Sequence, residues 1–339
     1  MVSINDVAKR AGCSATLVSR VVNNQYGVSE KSRKKIQQAI AELGYNPNGL
    51  ARSLVLKKTH AIGVVVDTLC DAYFFDLFHA IDEEVGKHDY NVLYCSGEND
   101  PERKNKYITY LMQGRVDGII IYGSKLDDSK LIDRLISTGF PFALIEHDIG
   151  ERNANNIVLN NIYGSKLAVD HLFNCGCSRI TYVDGDSENQ ASCRRLEGFI
   201  QAMQAHGIAR DKLDILSSGW TEEAGYQTIN TFLMNGGVDN LPDAFYFSAD
   251  QTAFGGLKAL QKYNIRVPED VMIVGYDDDR PRSYDFNYIP LTTIHQPLDV
   301  MGKQAVRVLL DDINEKKEQK EKMMYYPSLV IRNTTMIKK

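Results

Sequence analysis

The chain has 339 residues, enough for two or three domains that each bury a core. Its 43% apolar and 24% charged residues are an ordinary globular composition. No apolar run approaches the ~18–20 residues of a membrane span, and Lys9 and Arg10 are followed by polar residues rather than the apolar core of a signal peptide. The expectation is a cytoplasmic protein with no membrane contact.

Charge is unevenly placed. Ten Lys/Arg against three Asp/Glu give the first sixty residues +7, which leaves −12 for the rest of a chain totalling −5. A basic head on an acidic body suggests that the head alone meets a polyanion. The six cysteines show neither disulfide-framework nor metal-ligand spacing, and Cys175-Gly-Cys177 reads as two small half-buried residues before a strand. No cofactor is implied.

Ser3 stands before "INDVAKRAG" with Asp6 three positions on, a capping-box pattern, and Ile4, Val7, Ala8 and Ala11 follow at helical spacing. Gly12 supplies the turn. Ser14 then caps "ATLVSRVVNN", whose Leu17, Val18, Val21 and Val22 form the inward face. A third helix starts at Ser29, carries Ile36, Ala39, Ile40 and Leu43 on one side, and closes at Gly44. Helix, short turn, helix and bracing helix is the arrangement that sets a recognition helix in the major groove. On the second helix Arg20 can bond a guanine edge through two nitrogens, Thr16 can reach a base, and Ala15 offers apolar contact to a thymine methyl. Ser14 at the helix start, Ser19 and Asn23 suit the phosphates, as do the charges of the Lys31–Lys35 run.

Beyond "ELGYNP" lies "NGLARSLVLKK", about two helical turns that cannot stand alone in water. The head and the "GYNPNGLARSL" segment, together with the body that follows, resemble the lactose/galactose repressor family of bacterial transcription regulators over essentially the whole chain. The resemblance implies that Asn48–Leu56 folds as a hinge helix on DNA. Ala51 and Arg52 would then contact DNA, and Leu54 would wedge into a central minor-groove step. It also implies a homodimer on a pseudo-palindromic operator. Leu17 departs from the threonine usual in the family, so a hydroxyl contact is expected to be absent there.

From His60 onward, apolar runs ("AIGVVVD", "NVLYCSG", "VDGIIIYG", "FPFALIEH", "NIVLNN", "RITYVDG", "LDILSSG", "AFYFSAD" and "VMIVGYD") alternate with amphipathic helices. That pattern predicts parallel sheets covered on both faces, in two doubly wound α/β subdomains. It resembles the periplasmic-binding-protein fold that the family shares. The expected organisation is a head over 1–47, a hinge over 48–59, a first lobe of 60–160 and 292–321, and a second of 161–291 and 322–339.

Ligands in such sheets bind beyond the strand carboxyl ends. Tyr73, Phe74, Ser124, Glu146, Asn160 and Asp250 stand at such ends, with Arg195 in "CRRLEGF" and Trp220, the only tryptophan, after "SSG". Acids, an amide and an arginine can bond hydroxyls while an indole stacks on a sugar face. In the family, the positions matching Glu146, Asn160, Arg195, Trp220 and Asp250 line the effector cleft. Asn189 stands where the purine-binding member has an arginine, which favours a sugar or sugar phosphate over a nucleobase. No phosphate loop, dinucleotide fingerprint or zinc-protease motif is present, and Asp277-Asp278-Asp279 reads as a solvated loop rather than a metal site. The expected function is a repressor of carbohydrate-utilisation genes under allosteric control, not an enzyme.

Overall fold

The computed structural model describes the chain except for residues 1, 24, 47–57, 70–71, 99, 124–128, 148, 282–287, 316 and 338–339. The chain forms two compact units, Met1–Thr59 and His60–Lys339.

In the first unit, α1 (Ile4–Ala11) begins at a capping box in which Ser3 and Asp6 bond reciprocally, and it ends at Gly12 in the left-handed region, φ 63°. The Ser14 side chain accepts from the Leu17 amide at the start of α2 (Ala15–Val22). Ser29 accepts from the Ser32 amide at the start of α3 (Glu30–Leu43). Val7, Ala8, Ala11, Val18, Val21, Ile36 and Ala39 form the small core, with Leu17, Val22, Ile40 and Leu43 packed at its margin. The expected inward faces are therefore the observed ones. The expected hinge over 48–59, and with it Ala51, Arg52 and Leu54, lies outside the described residues save at its last two positions.

The second unit holds two six-stranded sheets. The first has the order β11-β5-β4-β3-β1-β2 and is parallel throughout. Its strands are β1 (Ala61–Val66), β2 (Asn91–Ser96), β3 (Gly118–Tyr122), β4 (Phe142–Ile145), β5 (Asn155–Leu159) and β11 (Lys322–Tyr325). The second has the order β12-β10-β9-β8-β6-β7, with only β12 antiparallel. Its strands are β6 (Ile180–Val183), β7 (Asp214–Leu216), β8 (Ala244–Phe247), β9 (Met272–Asp277), β10 (Thr292–His295) and β12 (Ser328–Val330). β3 and β8 are buried on every residue, because the runs GIIIY and AFYF leave no polar face to expose.

Two lobe boundaries differ from expectation. The crossings near 291 and 322 place β10 in the first lobe and β11 in the second. Instead β10 pairs with β9 and β12, and β11 pairs with β5. The chain passes between lobes after Leu159, after His295 and after Tyr325, the last two about four residues later than expected. These strands have three or four residues each, too short for their own pattern to reveal which sheet they join.

Candidate DNA-reading and effector sites

On α2, Val18 and Val21 turn inward and leave Thr16 and Arg20 exposed, with Ala15 and Ser19 half-buried beside them. Thr16 and Arg20 are four residues apart, so they share one face. The Asn23 amide nitrogen donates to the Ser19 hydroxyl at 3.2 Å, so these two side chains brace one another at the helix end. Arg33 donates to the Gln25 carbonyl at 3.2 Å, whereas Lys31, Lys34 and Lys35 are exposed. The face is short, polar and carries one guanidinium, which is what base-edge reading requires.

In the body, polar side chains gather at the strand carboxyl ends and join the two lobes. Arg195, 3% exposed, rises from the helix Gln190–Ala205. Its Nη1 donates to the Ser248 carbonyl at 2.6 Å and to Asp277 at 3.1 Å, and its Nε donates to Asn161 at 3.0 Å. The guanidinium lies 3.8 Å from the centroid of Tyr276 and 5.7 Å from that of Trp220. Asn161 in turn donates to Glu146 at 2.8 Å. From Asp277 the chain of bonds continues through Gln296, at 2.6 Å, to Tyr73, whose hydroxyl donates to Gln296 at 3.1 Å and shares a 2.6 Å bond with Tyr122. Asn161 and Gln296 each follow a strand at a crossing point. The network therefore ties both crossings to both lobes.

The electrostatics follow from burial. Desolvation pushes the Glu146 carboxyl upward against the hydrogen bonds from the Leu159 amide and Asn161. Asp250 is raised as well, first by burial and then by the nearby Asp277 charge. Its two oxygens accept from the Thr293 hydroxyl at 2.7 Å and from the Asp279 amide at 2.8 Å.

Of the expected effector residues, Tyr73, Glu146 and Arg195 come together in this network, with Trp220 beside them. Asn160 does not join it: its side chain accepts from the Tyr163 amide at 2.9 Å and caps the helix Asn161–Asn174. Phe74 is a core residue, stacked on Phe78 at 5.5 Å and edge-on to Tyr122 at 5.0 Å. Asp250 is fully buried and holds the loop after β9, and Ser124 lies outside the described residues. Asp277–Asp279 is not the solvated loop expected. Asp277 pairs with Arg195, Asp278 with His295 and Arg332, and Asp279 accepts from Gln251. Tyr122, Asn161, Asp277 and Gln296 went unrecognised in the sequence, although all but Gln296 stand at the end of one of the runs read as strands. A cavity of about 560 Å³ opens beside the network, lined by Glu146, Asn160, Asn161, Gln190, Arg194 and Met324 among others.

A helix-turn-helix head followed by a two-lobed body of periplasmic-binding type defines the class of protein. Residues 3–48 match the family "Bacterial regulatory proteins, lacI family", and residues 169–335 match the periplasmic binding protein-like domain. The chain is 34% identical, over 98% of both chains, to the HTH-type transcriptional repressor PurR of Haemophilus influenzae strain PittEE, and 33% identical to that of Pasteurella multocida strain Pm70. Among solved structures it is similar to the Lac repressor dimer bound to operator and the anti-inducer ONPF, with TM-score 0.87 and 29% identity over 99% of each chain. It is also similar to the CelR–cellobiose complex, with TM-score 0.73 and 25% identity over 98% of this chain and 100% of that one. The chain belongs to the lacI family; it is a DNA-binding transcriptional repressor, and its relatives are repressors rather than enzymes. No helix among the described residues is long and apolar enough to cross a membrane.

Proposed function

We propose that the chain acts as a homodimer on a pseudo-palindromic operator, and that a sugar-class effector held between the two lobes sets its affinity for that DNA. The observation carrying the effector reading is the network around Arg195. It joins both lobes at two of their crossings, so a ligand that inserts among these groups changes how the lobes meet. Arg195 keeps one nitrogen, Nη2, without a hydrogen-bond partner among the described residues, beside the Trp220 indole. A donor next to an indole face suits a hydroxyl-bearing ring.

Two points favour a sugar over a nucleobase. Asn189 brings no cation to the cleft; its side chain accepts from the Ala191 and Ser192 amides and caps the helix of Arg195. Solved relatives of comparable similarity hold cellobiose and, in a protein from Enterococcus faecium, ribose. Identity to the PurR repressors, 32–34%, is close to the 29–30% shared with Lac repressor, so relatedness alone does not choose the effector class.

Trp220 is the only tryptophan, so its emission reports on the cleft without a label. Titration with mono- and disaccharides should give a saturable change in Trp220 emission and raise the melting temperature by mass action. A response to nucleobases and to no sugar would transfer the effector role to that class.

A further inference from the structure

Outside the inter-lobe network, a further carboxylate stands at a strand carboxyl end of the second sheet. Asp184 stands immediately after β6 and is half-buried. Its Oδ1 accepts from the Gly185 amide at 2.8 Å and from the Ser192 hydroxyl at 3.0 Å. Among the described residues, no hydrogen bond reaches Oδ2 and no cation pairs with the group. Ser192 lies three residues before Arg195 on the same helix, so both side chains share one helical face. A Cβ on Gly185 would fall 2.9 Å from both the Ser192 hydroxyl and the Trp220 ring, so the indole lies directly against the backbone that follows Asp184. Asp184 thus precedes the backbone that packs on Trp220, and it bonds a serine one turn before Arg195.

The surrounding charge is lopsided. Burial raises the Asp184 carboxyl, the neighbouring Asp186 adds repulsion, and the two hydrogen bonds only partly offset them. Glu146, also half-buried, has amide donors but no salt bridge within 4 Å among the described residues. The positive charge of Arg195 is matched by Asp277, and buried Lys104 faces the Gly123 carbonyl and Asp67. Each buried cation near these strand ends is therefore already balanced, whereas Asp184 is an acceptor with capacity left. A phosphate ester would bring up to two further negative charges into a low-dielectric cleft, where repulsion is stronger than in water.

From this we infer that Asp184 determines effector specificity: the effector is uncharged or bears an amine, donates a hydrogen bond to Asp184 Oδ2, and is not a phosphate ester. The inference rests on the reading of the cleft as the effector site and narrows it from sugars and sugar phosphates to one of the two.

The test uses the full chain and matched probes: glucose, glucosamine and glucose 6-phosphate; cellobiose; ribose and ribose 5-phosphate; and adenine, guanine and hypoxanthine with their nucleoside 5′-phosphates. Melting temperature and Trp220 emission are read for the wild type and for Asp184→Asn, whose unliganded melting temperature shows whether it is folded. In the set that binds, the uncharged or amine-bearing member should bind at least about tenfold more tightly than its phosphate ester. Asp184→Asn should weaken that member and narrow the gap. A phosphate ester that binds more tightly than its parent compound overturns the inference, as does an Asp184→Asn chain whose selectivity is unchanged. A response to nucleobases, with selectivity against their phosphorylated forms, would remove the sugar reading and leave the role of Asp184 intact.

Discussion

At the scale of single residues, the two sites use arginine in opposite ways. Arg20 is exposed on α2, with its guanidinium available to a base edge, whereas Arg195 is buried and already holds three protein partners. Replacing Arg20 by alanine should relax the base preference at one position of each half-site, at a cost of about 1–3 kcal/mol; selection from randomised duplexes measures it, and an unchanged consensus would remove that role. Arg195→Lys keeps the charge but cannot reach Asn161, Ser248 and Asp277 at once, because an ammonium lacks the planar fork. The expected result is lost effector response with operator binding retained, read by fluorescence anisotropy. Asp250 holds two protein donors. Asp250→Ala leaves the Thr293 hydroxyl and the Asp279 amide without their acceptor, so about 1–3 kcal/mol of stability should go for each group left buried and unsatisfied. Urea unfolding would show this, and a midpoint equal to the wild type would mean that the loop after β9 is held by something else.

At the scale of elements, caps and crossings matter most. The Ser14 side chain satisfies the Leu17 amide at the first turn of α2, so Ser14→Ala should cost about 0.5–2 kcal/mol and weaken operator binding by fraying the reading helix. The crossing after β10 holds His295, whose Nδ1 lies 3.1 Å from Asp278. Asp278, chiefly, and then Asp299 and Asp76 raise its pKa against the cost of burial, while Arg332 bonds the other oxygen of Asp278. A raised folded-state value means that this stabilisation is complete below the ordinary histidine value of about 6.5 and fades as pH rises through the folded value. The wild type should lose stability relative to His295→Gln as pH rises above the ordinary histidine value of about 6.5, and parallel melting curves across that rise would contradict the assignment. Asp278 itself is lowered, chiefly by His295, so its own contribution is lost only on acidification, outside that window.

At the scale of the whole molecule, what could be read in advance followed the length of each signal. The three head helices were legible because cap and apolar stripe agree in each one, with a closing glycine after α1 and α3. The long buried strands were legible for a similar reason, since a run such as AIGVVV has no other stable home. β10, β11 and β12 were not, because Thr292 and Thr293 look polar and Lys322–Tyr325 alternates on an edge; pairing with strands far away in sequence decides where they go. Site residues were legible where they end a strong strand, as with Glu146. Asp277 was missed because three adjacent acids look solvated until Arg195, His295, Arg332 and Gln251 are brought to them from elsewhere. Asn160 was read as an effector residue and Asn161 was not, because only the fold shows which amide caps the helix and which one joins the network.

The central claim is that the Arg195 network couples a ligand in the body to DNA held by the head. It is tested most directly by measuring the affinity of the full chain for its selected operator, by fluorescence anisotropy, with and without the compound that saturates the Trp220 signal. Coupling between sites of this kind is typically about 5–150-fold, so the wild-type affinity should change by at least about fivefold. Arg195→Lys should show the effector-free affinity of the wild type and no change on adding ligand. A wild-type operator affinity that is identical with the effector saturated would contradict the account.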